Sequence, residues 1–443
     1  MGIDIGTTSI SIVLIDKNSG ELLGKRTINN DSFVNEDTPE SKTQDPEKIW
    51  QLTREGIEEL VEEYGIPCCI GMTGQMHGML YVDKNGNAVS SLYTWQDGNG
   101  TSVAHILQEQ VGIAASGYGL TTHFYLQRMS LIPNTAVKMT NISDYIAMKL
   151  CGNTKPKIGI DMAASWGCFD LEKKEFSLDK LKSAGVDVSY LPELLPEHAV
   201  IGKTIDGIPI ISSLGDNQAS VLGSVKHLKE TVLINIGTGS QVSVLTDKFS
   251  VCDGSIELRP CSSNDYLIVG AGLCGGRVYA MLEKFYREVS RTEEDCYNNM
   301  YQQALKFLNG QGKENAWQVK TTFSGTRSNP SDAGSISGIR VDNFTPGAFT
   351  VGMMQGILSE LYDAYEVMCE KTGKRATQLV GSGNGIRKNP LLRQLAEEMF
   401  GMKMKIPSWQ EEAACGAALY GAVTAGILSA EKVKEFIVYE SEL

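Results

Sequence analysis

The sequence predicts an α/β protein built from two similar halves. Three observations carry this reading. The chain has 443 residues, enough for two or three domains with separate cores. A short hairpin motif occurs twice, about half a chain apart. Apolar strands alternate with helix-period segments in both halves, which is the pattern of α/β folds.

The first hairpin is MGIDIGTTSISIVLID, at the start of the sequence. Ile3 and Ile5 alternate with Asp4, so Asp4 faces the opposite side of its strand. Gly6 permits a tight turn. Thr7 and Thr8 place hydroxyls and backbone N–H groups at the tip, and Ser9 to Leu14 return as a second strand. Such a tip presents donors to an anion, as backbone nests do for phosphate. An acid beside bound phosphate suits Mg²⁺, which takes one or two carboxylates together with phosphate oxygens. The same residues also suit an ordinary hairpin with an edge-facing aspartate, because short motifs recur by chance.

The motif returns as LINIGTGSQVSVLTD from Leu233. With Ile3 aligned to Ile234, 8 of 14 positions are identical, among them Gly6 with Gly237 and Thr7 with Thr238. Asp4 meets Asn235, a near-isostere without the charge. Two tips, one from each half, would grip phosphates from both sides of a cleft. Only the first copy keeps the acid, which fits one metal site. On this reading Asp4 serves magnesium and the Gly-Thr-Thr tip serves phosphate.

The remaining elements follow in order. DPEKIWQLTREGIEELVEEYG reads as a helix with Asp45 as N-cap, Pro46 at its first position and Gly65 at its end. Its pairs Glu58-Glu59 and Glu62-Glu63 read as a solvated face. CCIGMTG is a strand, TSVAHILQEQVG and NISDYIAMKLCG are helices, and IPIISSLGD is one buried strand running into a Gly-Asp turn. In the second half a long helix ends at Gly373. ATQLVGSGNG is a strand leading into a glycine-rich turn, followed by the helix NPLLRQLAEEMFG. No Pro- or Ser-rich linker intervenes, and the boundary falls near residue 222, giving domains 1–222 and 223–443.

The net charge is −13, from 40 basic and 53 acidic residues. Neither nucleic acid nor an anionic membrane surface would be attracted overall. The 10 cysteines contain no CxxC pair and no Cys/His cluster at zinc spacing. With no secretory signal at the start, they read as reduced, buried thiols of a cytoplasmic protein. AACGAALYGAVTAGIL, from Ala413, is too short for a membrane span and reads as a closely packed internal helix.

These motifs together resemble the FGGY family of carbohydrate kinases. The resemblance runs through Gly2–Ser9, TGQMHG at 73–78, TWQDG at 94–98, GDNQAS at 215–220, NIGTGS at 235–240, GSGNG at 381–385 and the last small-residue helix. It implies two actin-like, ribonuclease H-like domains with a nucleotide cleft between them, the first binding sugar and the second nucleotide. It further implies ATP and Mg²⁺ as cofactors, and a small-molecule sugar as partner. A homodimer is compatible with it.

Residue by residue, the resemblance makes Asp216 the general base and Asp4 the partner of hydrated magnesium. It puts Thr7, Thr8, Gly237 and Thr238 on phosphates, and Gly383, Asn384 and Asn389 near adenosine. Gln75, Met76, His77, Trp95 and Asp97 fall on the sugar. YTWQDG, GLTTHFYL, AMKLCG and DMAASWGCFD point within the family to a seven-carbon ketose, phosphorylated at its terminal hydroxyl. Pentulose, gluconate and glycerol are alternatives, and a non-kinase actin-like ATPase is another class. Two departures bear on the sugar: Asn99 stands where TWQDG usually continues with Arg, and Thr326-Arg327 in FSGTRS stands where Gly-Glu-Arg is usual.

Each site residue also has a purely structural reading. Asp216 follows a strand and a glycine, as a helix cap would. His77 suits a backbone-satisfied histidine, and Met76 alone would be core. Trp95 suits a buried core residue, and Asp97 in DGNG suits a turn. GSGNG alone is an ordinary glycine-rich turn.

Overall fold

The structure is a computed structural model that describes residues 1–34, 38–249, 256–261, 265–272, 274–325 and 332–440. It contains two compact units. The first comprises Met1–Lys226, Arg259–Asp265 and Glu411–Ile437; the second comprises His227–Leu258, Tyr266–Gln410 and Val438–Leu443. The first unit's main segment ends at Lys226, close to the boundary expected near residue 222, and the unit also takes in a helix from the C-terminal end.

The small-residue helix, Glu412–Thr424, explains why. It packs backbone to backbone in the first unit. A Cβ added to Gly71 would lie 1.8 Å from the Ala417 carbonyl oxygen, and one on Gly416 would lie 1.8 Å from that of Ala219. No side chain fits at either contact. Alanine and glycine let the helix lie directly on the sheet and on the helix Asp216–Ser224.

Each unit is built on its own sheet, and the two sheets share a strand order. In the first, the strand order is Leu214–Gly215, Gly71–Gly74, Gly2–Ile5, Ser9–Ile15, Leu22–Asn29, with two parallel joins followed by two antiparallel ones. In the second, the order Met404–Lys405, Gln378–Ser382, Thr231–Ile236, Ser240–Thr246, Tyr266–Gly272 repeats both the sequence of neighbours and their directions. Glu257–Pro260 adds an edge strand. The two hairpins occupy equivalent places, but their tips differ. Ile5 pairs with Ile10 in the first, whereas Ile236 pairs with Ser240 in the second, so the second turn is one residue tighter.

The helix at Pro46–Tyr64 forms as expected. Asp45 accepts from the Glu47 and Lys48 N–H groups at 2.9 and 3.2 Å, and Gly65 ends the helix with φ 91°. Its acidic face is solvated and gives two partners to Arg26, Glu59 and Glu63. The long helix Pro346–Thr372 ends at Gly373 in the left-handed conformation.

Two expectations are corrected. IPIISSLGD is not one strand: Pro209–Ile211 pairs with Val200–Lys203, and Leu214–Gly215 joins the main sheet. Ser213 causes the break, its N–H and hydroxyl both bonding to the buried Asp144 carboxylate at 3.2 and 2.6 Å. GSGNG is not a turn: its first two residues end the strand Gln378–Ser382, and Gly383–Lys388 forms a short helix. Among the described residues no helix is long and apolar enough to cross a membrane.

Candidate active site

The first hairpin tip is held by its carbonyl oxygens. Asn30 Nδ2 donates to the Gly6 carbonyl at 2.8 Å, Gln44 Nε2 to that of Thr7 at 2.9 Å, and the Asn30 N–H to that of Thr8 at 2.9 Å. Across a trans peptide the next N–H points the opposite way. The N–H groups of Thr7, Thr8 and Ser9 are thereby aimed away from these partners. Thr8 is exposed. Thr7 is not, because its hydroxyl accepts from Trp95 Nε1 at 3.0 Å and lies 3.4 Å from Gln75 Oε1. Gln75 in turn donates to Gln44 at 2.8 Å. Thr7 thus links the hairpin to the loops carrying Gln75 and Trp95, leaving Thr8 as the outward hydroxyl.

The acids lie at one end of the sheet. Asp4 and Leu214 both register with Thr73, so Asp216, two residues beyond Leu214, emerges at the same end as Asp4. Asp4 Oδ1 is shut off from solvent without a hydrogen-bond partner. Burial pushes the Asp4 carboxyl up to about 7, and Asp216 and then Glu411 add to the effect. Repulsion by two like charges and burial of the acid both favour its neutral form, and a nearby cation would oppose both. Glu411 was not foreseen. It accepts from Ser11 at 2.9 Å and Thr27 at 3.0 Å; in the sequence it stands just before the small-residue segment that starts at Ala413 and carries no motif of its own.

The acids and the orphaned oxygen fit magnesium. Among the described residues no group of three or more His, Cys, Asp or Glu side chains converges on one point. Magnesium takes one or two carboxylates together with phosphate oxygens and keeps several waters.

Asp216 is the first residue of its helix, and Gly215 is the cap. Its Oδ1 accepts from the N–H and Nδ2 of Asn217, both at 2.7 Å. The capping reading of Asp216 is therefore not what the structure contains. Met76 Sδ lies 4.0 Å from Asn217 Nδ2, and Met76 is buried beneath this turn.

His77 is a buried histidine with φ 72°, a left-handed conformation that a side-chain-bearing residue adopts at a cost. Its N–H donates to Ser165 Oγ at 3.1 Å, and its Nδ1 lies 2.6 Å from the Ser165 carbonyl. A carbonyl only accepts, so Nδ1 carries the proton. The ring stacks on Tyr118 at 4.4 Å, and Trp166 Nε1 holds the next carbonyl, that of Gly78, at 3.0 Å. The helix Ile160–Ser165 and the residue after it thus clamp the loop in its strained form. Trp95 is 39% exposed, with its indole edge tied to Thr7. Asp97 is buried and bonds the Lys42 N–H and both the N–H and side chain of Asn99, each at 3.1 Å. It holds its loop closed.

In the second unit, Gly237, Thr238, Asn384 and Asn389 line one cleft of about 970 Å³. The tip there is bonded to the start of the helix Gly276–Ser290. Gly276 N–H donates to Gly237 O at 2.8 Å, and Arg277 N–H to Thr238 O at 3.0 Å. Gly383 has φ 83°, and a Cβ there would meet Ile236 O at 2.6 Å. Asn389 caps the helix Pro390–Phe400 through Leu392 N–H at 3.1 Å. Asn235, the counterpart of Asp4, donates to Ser382 Oγ at 2.9 Å, a bond an ionised acid could not donate. Tyr279, Tyr297 and Lys388 also line the cleft and were not foreseen; the two tyrosines come from helices with no local motif, and Lys388 ends the helix that begins within GSGNG. Thr326 and Arg327 lie outside the described residues.

A duplicated sheet whose hairpins present Gly-Thr tips defines an actin-like fold. The comparisons agree. Residues 1–223 match the N-terminal domain of the FGGY family of carbohydrate kinases, and residues 232–425 match its C-terminal domain. The chain belongs to the FGGY family of carbohydrate kinases; it is an ATP-dependent phosphotransferase with an alcohol group as acceptor. It is 27% identical to the sedoheptulokinase of Homo sapiens over 95% of this chain and 96% of that protein. It is 25% identical to the glycerol kinase of Aquifex aeolicus, over 99% of this chain and 91% of that one. Its fold matches the ligand-bound xylulose kinase of Lactobacillus acidophilus with TM-score 0.86 at 19% identity, covering 99% of this chain and 92% of that one. The non-kinase ATPase alternative is overturned, because both family models are of carbohydrate kinases.

Proposed function

We propose that this kinase transfers the γ-phosphate of ATP to the terminal hydroxyl of a ketose, sedoheptulose in particular, giving sedoheptulose 7-phosphate. The carrying observation is its likeness to the sedoheptulokinases of Homo sapiens and Mus musculus, at 27% and 28% identity over 95% of the chain.

In this reading the first unit binds sugar. His77 and Gln75 face the hydroxyls, Trp95 offers its exposed ring to sugar C–H groups, and Met76 and Asp97 shape the walls. Asp216 receives the hydroxyl proton as the phosphoryl group arrives. Phosphoryl transfer is usually loose, so positioning matters more than base strength. Thr8 and Thr238 contact phosphates, Gly237 and Gly383 bring backbone close, and Asn384 and Asn389 flank adenosine. Asp4 would hold the water shell of magnesium, which when bound offsets phosphate charge. Product analysis tests the regiochemistry. With sedoheptulose and ATP, phosphorus and proton NMR should give one monoester coupled to a CH₂ that itself couples to a neighbouring CH, as at C7; an ester on the isolated CH₂ of C1, a secondary ester, or no ester would contradict the assignment.

A further inference from the structure

Arg277 was not foreseen in the sequence, and its side chain has no role in the reading above. Its place follows from two glycines. A Cβ on Gly275 would come within 2.2 Å of the Gly239 carbonyl oxygen, and one on Gly276 within 2.3 Å of that of Gly237. Neither position can carry a side chain, so the helix Gly276–Ser290 starts directly against the second hairpin tip. Arg277 is the next residue and the first that can present one. Its N–H is fixed on the Thr238 carbonyl at 3.0 Å, and both Arg277 and Thr238 are exposed. Both line the cleft of about 970 Å³.

Two further observations concern charge. Among the described residues the Arg277 side chain has no hydrogen bond, ion pair or ring contact. The first turn of its helix holds no acid to neutralise it, and a cation at a helix N-terminus opposes the macrodipole. Folding alone therefore does not account for a cation there. The 17 described residues that line the cleft include Arg277 and Lys388 and no acid, in a chain with 53 acidic residues. An open cation in an acid-free cleft, beside a Gly-Thr tip, suits a polyanion.

We infer that Arg277 donates hydrogen bonds to the phosphates that remain in ADP, and so sets a preference for a nucleoside polyphosphate over a nucleoside. A guanidinium presents its N–H donors in a planar fork that matches pairs of phosphate oxygens. Arg277 and every described residue of its cleft belong to the second unit, whereas Asp216 and the sugar-side residues belong to the first. Arg277 therefore serves the part of the nucleotide that stays, not the phosphoryl group that leaves. This inference rests on the nucleotide reading of the cleft but on no choice of sugar.

Calorimetry on the full chain with magnesium, using ATP, ADP and adenosine, tests it. Arg277→Met removes the charge and keeps a good helix former; Arg277→Lys keeps the charge without the fork. The Kd for ATP and for ADP should rise by a common factor of roughly 10 in Arg277→Met, the lower end for a charged hydrogen bond because the guanidinium is exposed. The rise should be smaller in Arg277→Lys. Adenosine affinity should not change, and kcat at saturating ATP should stay within a few-fold. Lys284→Met removes a charge from the same helix outside the cleft and should leave all three affinities alone. The urea midpoint of ligand-free Arg277→Met should not fall, since a cation has left a helix N-terminus; a marked fall would mean a structural role and would overturn the inference. Unchanged ATP and ADP affinity in Arg277→Met would overturn it too. So would the same loss in Lys284→Met, which would mean a diffuse effect of net charge, or an equal loss for adenosine, which would mean a changed cleft. A fall in kcat with ATP and ADP affinity intact would put Arg277 on the transferred phosphoryl group and would also overturn it. A wild type that binds neither ATP nor ADP would sink the nucleotide reading itself, whereas binding that Arg277→Met leaves unaltered sinks the inference alone. If Arg277→Met does not fold, Arg277→Lys carries the measurement.

Discussion

At the scale of residues, the sequence motifs named candidate groups, and the structure shows what each of them touches. The repeated Gly-Thr tip pointed to both Thr7 and Thr8, yet only Thr8 is outward; Thr7 is spent on Trp95. No local signal could say so, because the partner is distant in sequence. The φ of His77 and the position of Glu411 were unreadable for the same reason. Asp216→Asn should lower kcat by about 10²–10⁴ while ATP binding persists, as loss of a general base does. Coupled ADP release and calorimetry check this, and a folded variant with near-normal kcat would remove Asp216 from the chemistry. Asp4→Asn should raise the magnesium concentration needed for half-maximal rate; an unchanged magnesium titration would detach Asp4 from the metal. Thr8→Val should weaken ATP binding by ~1.5–3 kcal/mol, one hydrogen bond to a charged group, with sugar affinity nearly unchanged.

At the scale of elements, legibility followed local chemistry. Helices with caps were readable to within a residue, as Asp45 and Gly65 illustrate. The strand Leu22–Asn29 was missed: it alternates between partly buried and exposed, without an apolar face that pattern-reading would catch. The split of IPIISSLGD depended on Asp144, which no local rule connects to Ser213. The helix Glu412–Thr424 was recognised as closely packed from its small residues, though not which surface it meets. Two glycines make a paired test. Gly416→Ala would drive a methyl into the Ala219 carbonyl, so unfolding stability should fall by about 3 kcal/mol or more, at the upper end of overpacking. Gly310 lies within the helix Tyr297–Gln311 with nothing within 4 Å of an added Cβ. Gly310→Ala should instead raise stability by about 0.5–1 kcal/mol, the helix propensity of alanine over glycine. Urea titration reads both, and equal effects would deny the backbone contact.

At the scale of the whole molecule, burial of acids links stability to pH. Asp161 is buried and pushed up to about 8, by burial first and then by Glu197, against Lys174. Asp144 is raised to about 6 by burial and Asp4 to about 7. In the unfolded chain these titrate near ~4. Between that value and the folded one the native state holds more protons, so stability is full below ~4 and declines as pH rises toward 8. The exposed acids with lowered values, such as Asp187 beside the Ser189 hydroxyl and N–H, act in the opposite sense but only below ~4. The ligand-free protein should therefore unfold more readily at pH 8 than at pH 5, by an amount of order a few kcal/mol. Asp161→Asn should flatten that slope, and a variant with the wild-type slope would exclude Asp161 as its source.

The repeated sheet made the duplication legible, because one motif had to appear twice for it to be seen. The substrate is written in scattered loop residues, which is why it rests on a direct measurement. Coupled ADP release with sedoheptulose, xylulose, ribulose, ribitol, gluconate and glycerol should give the highest kcat/KM for sedoheptulose and little release without sugar. A pentulose used at least as efficiently as sedoheptulose would contradict the account's assignment.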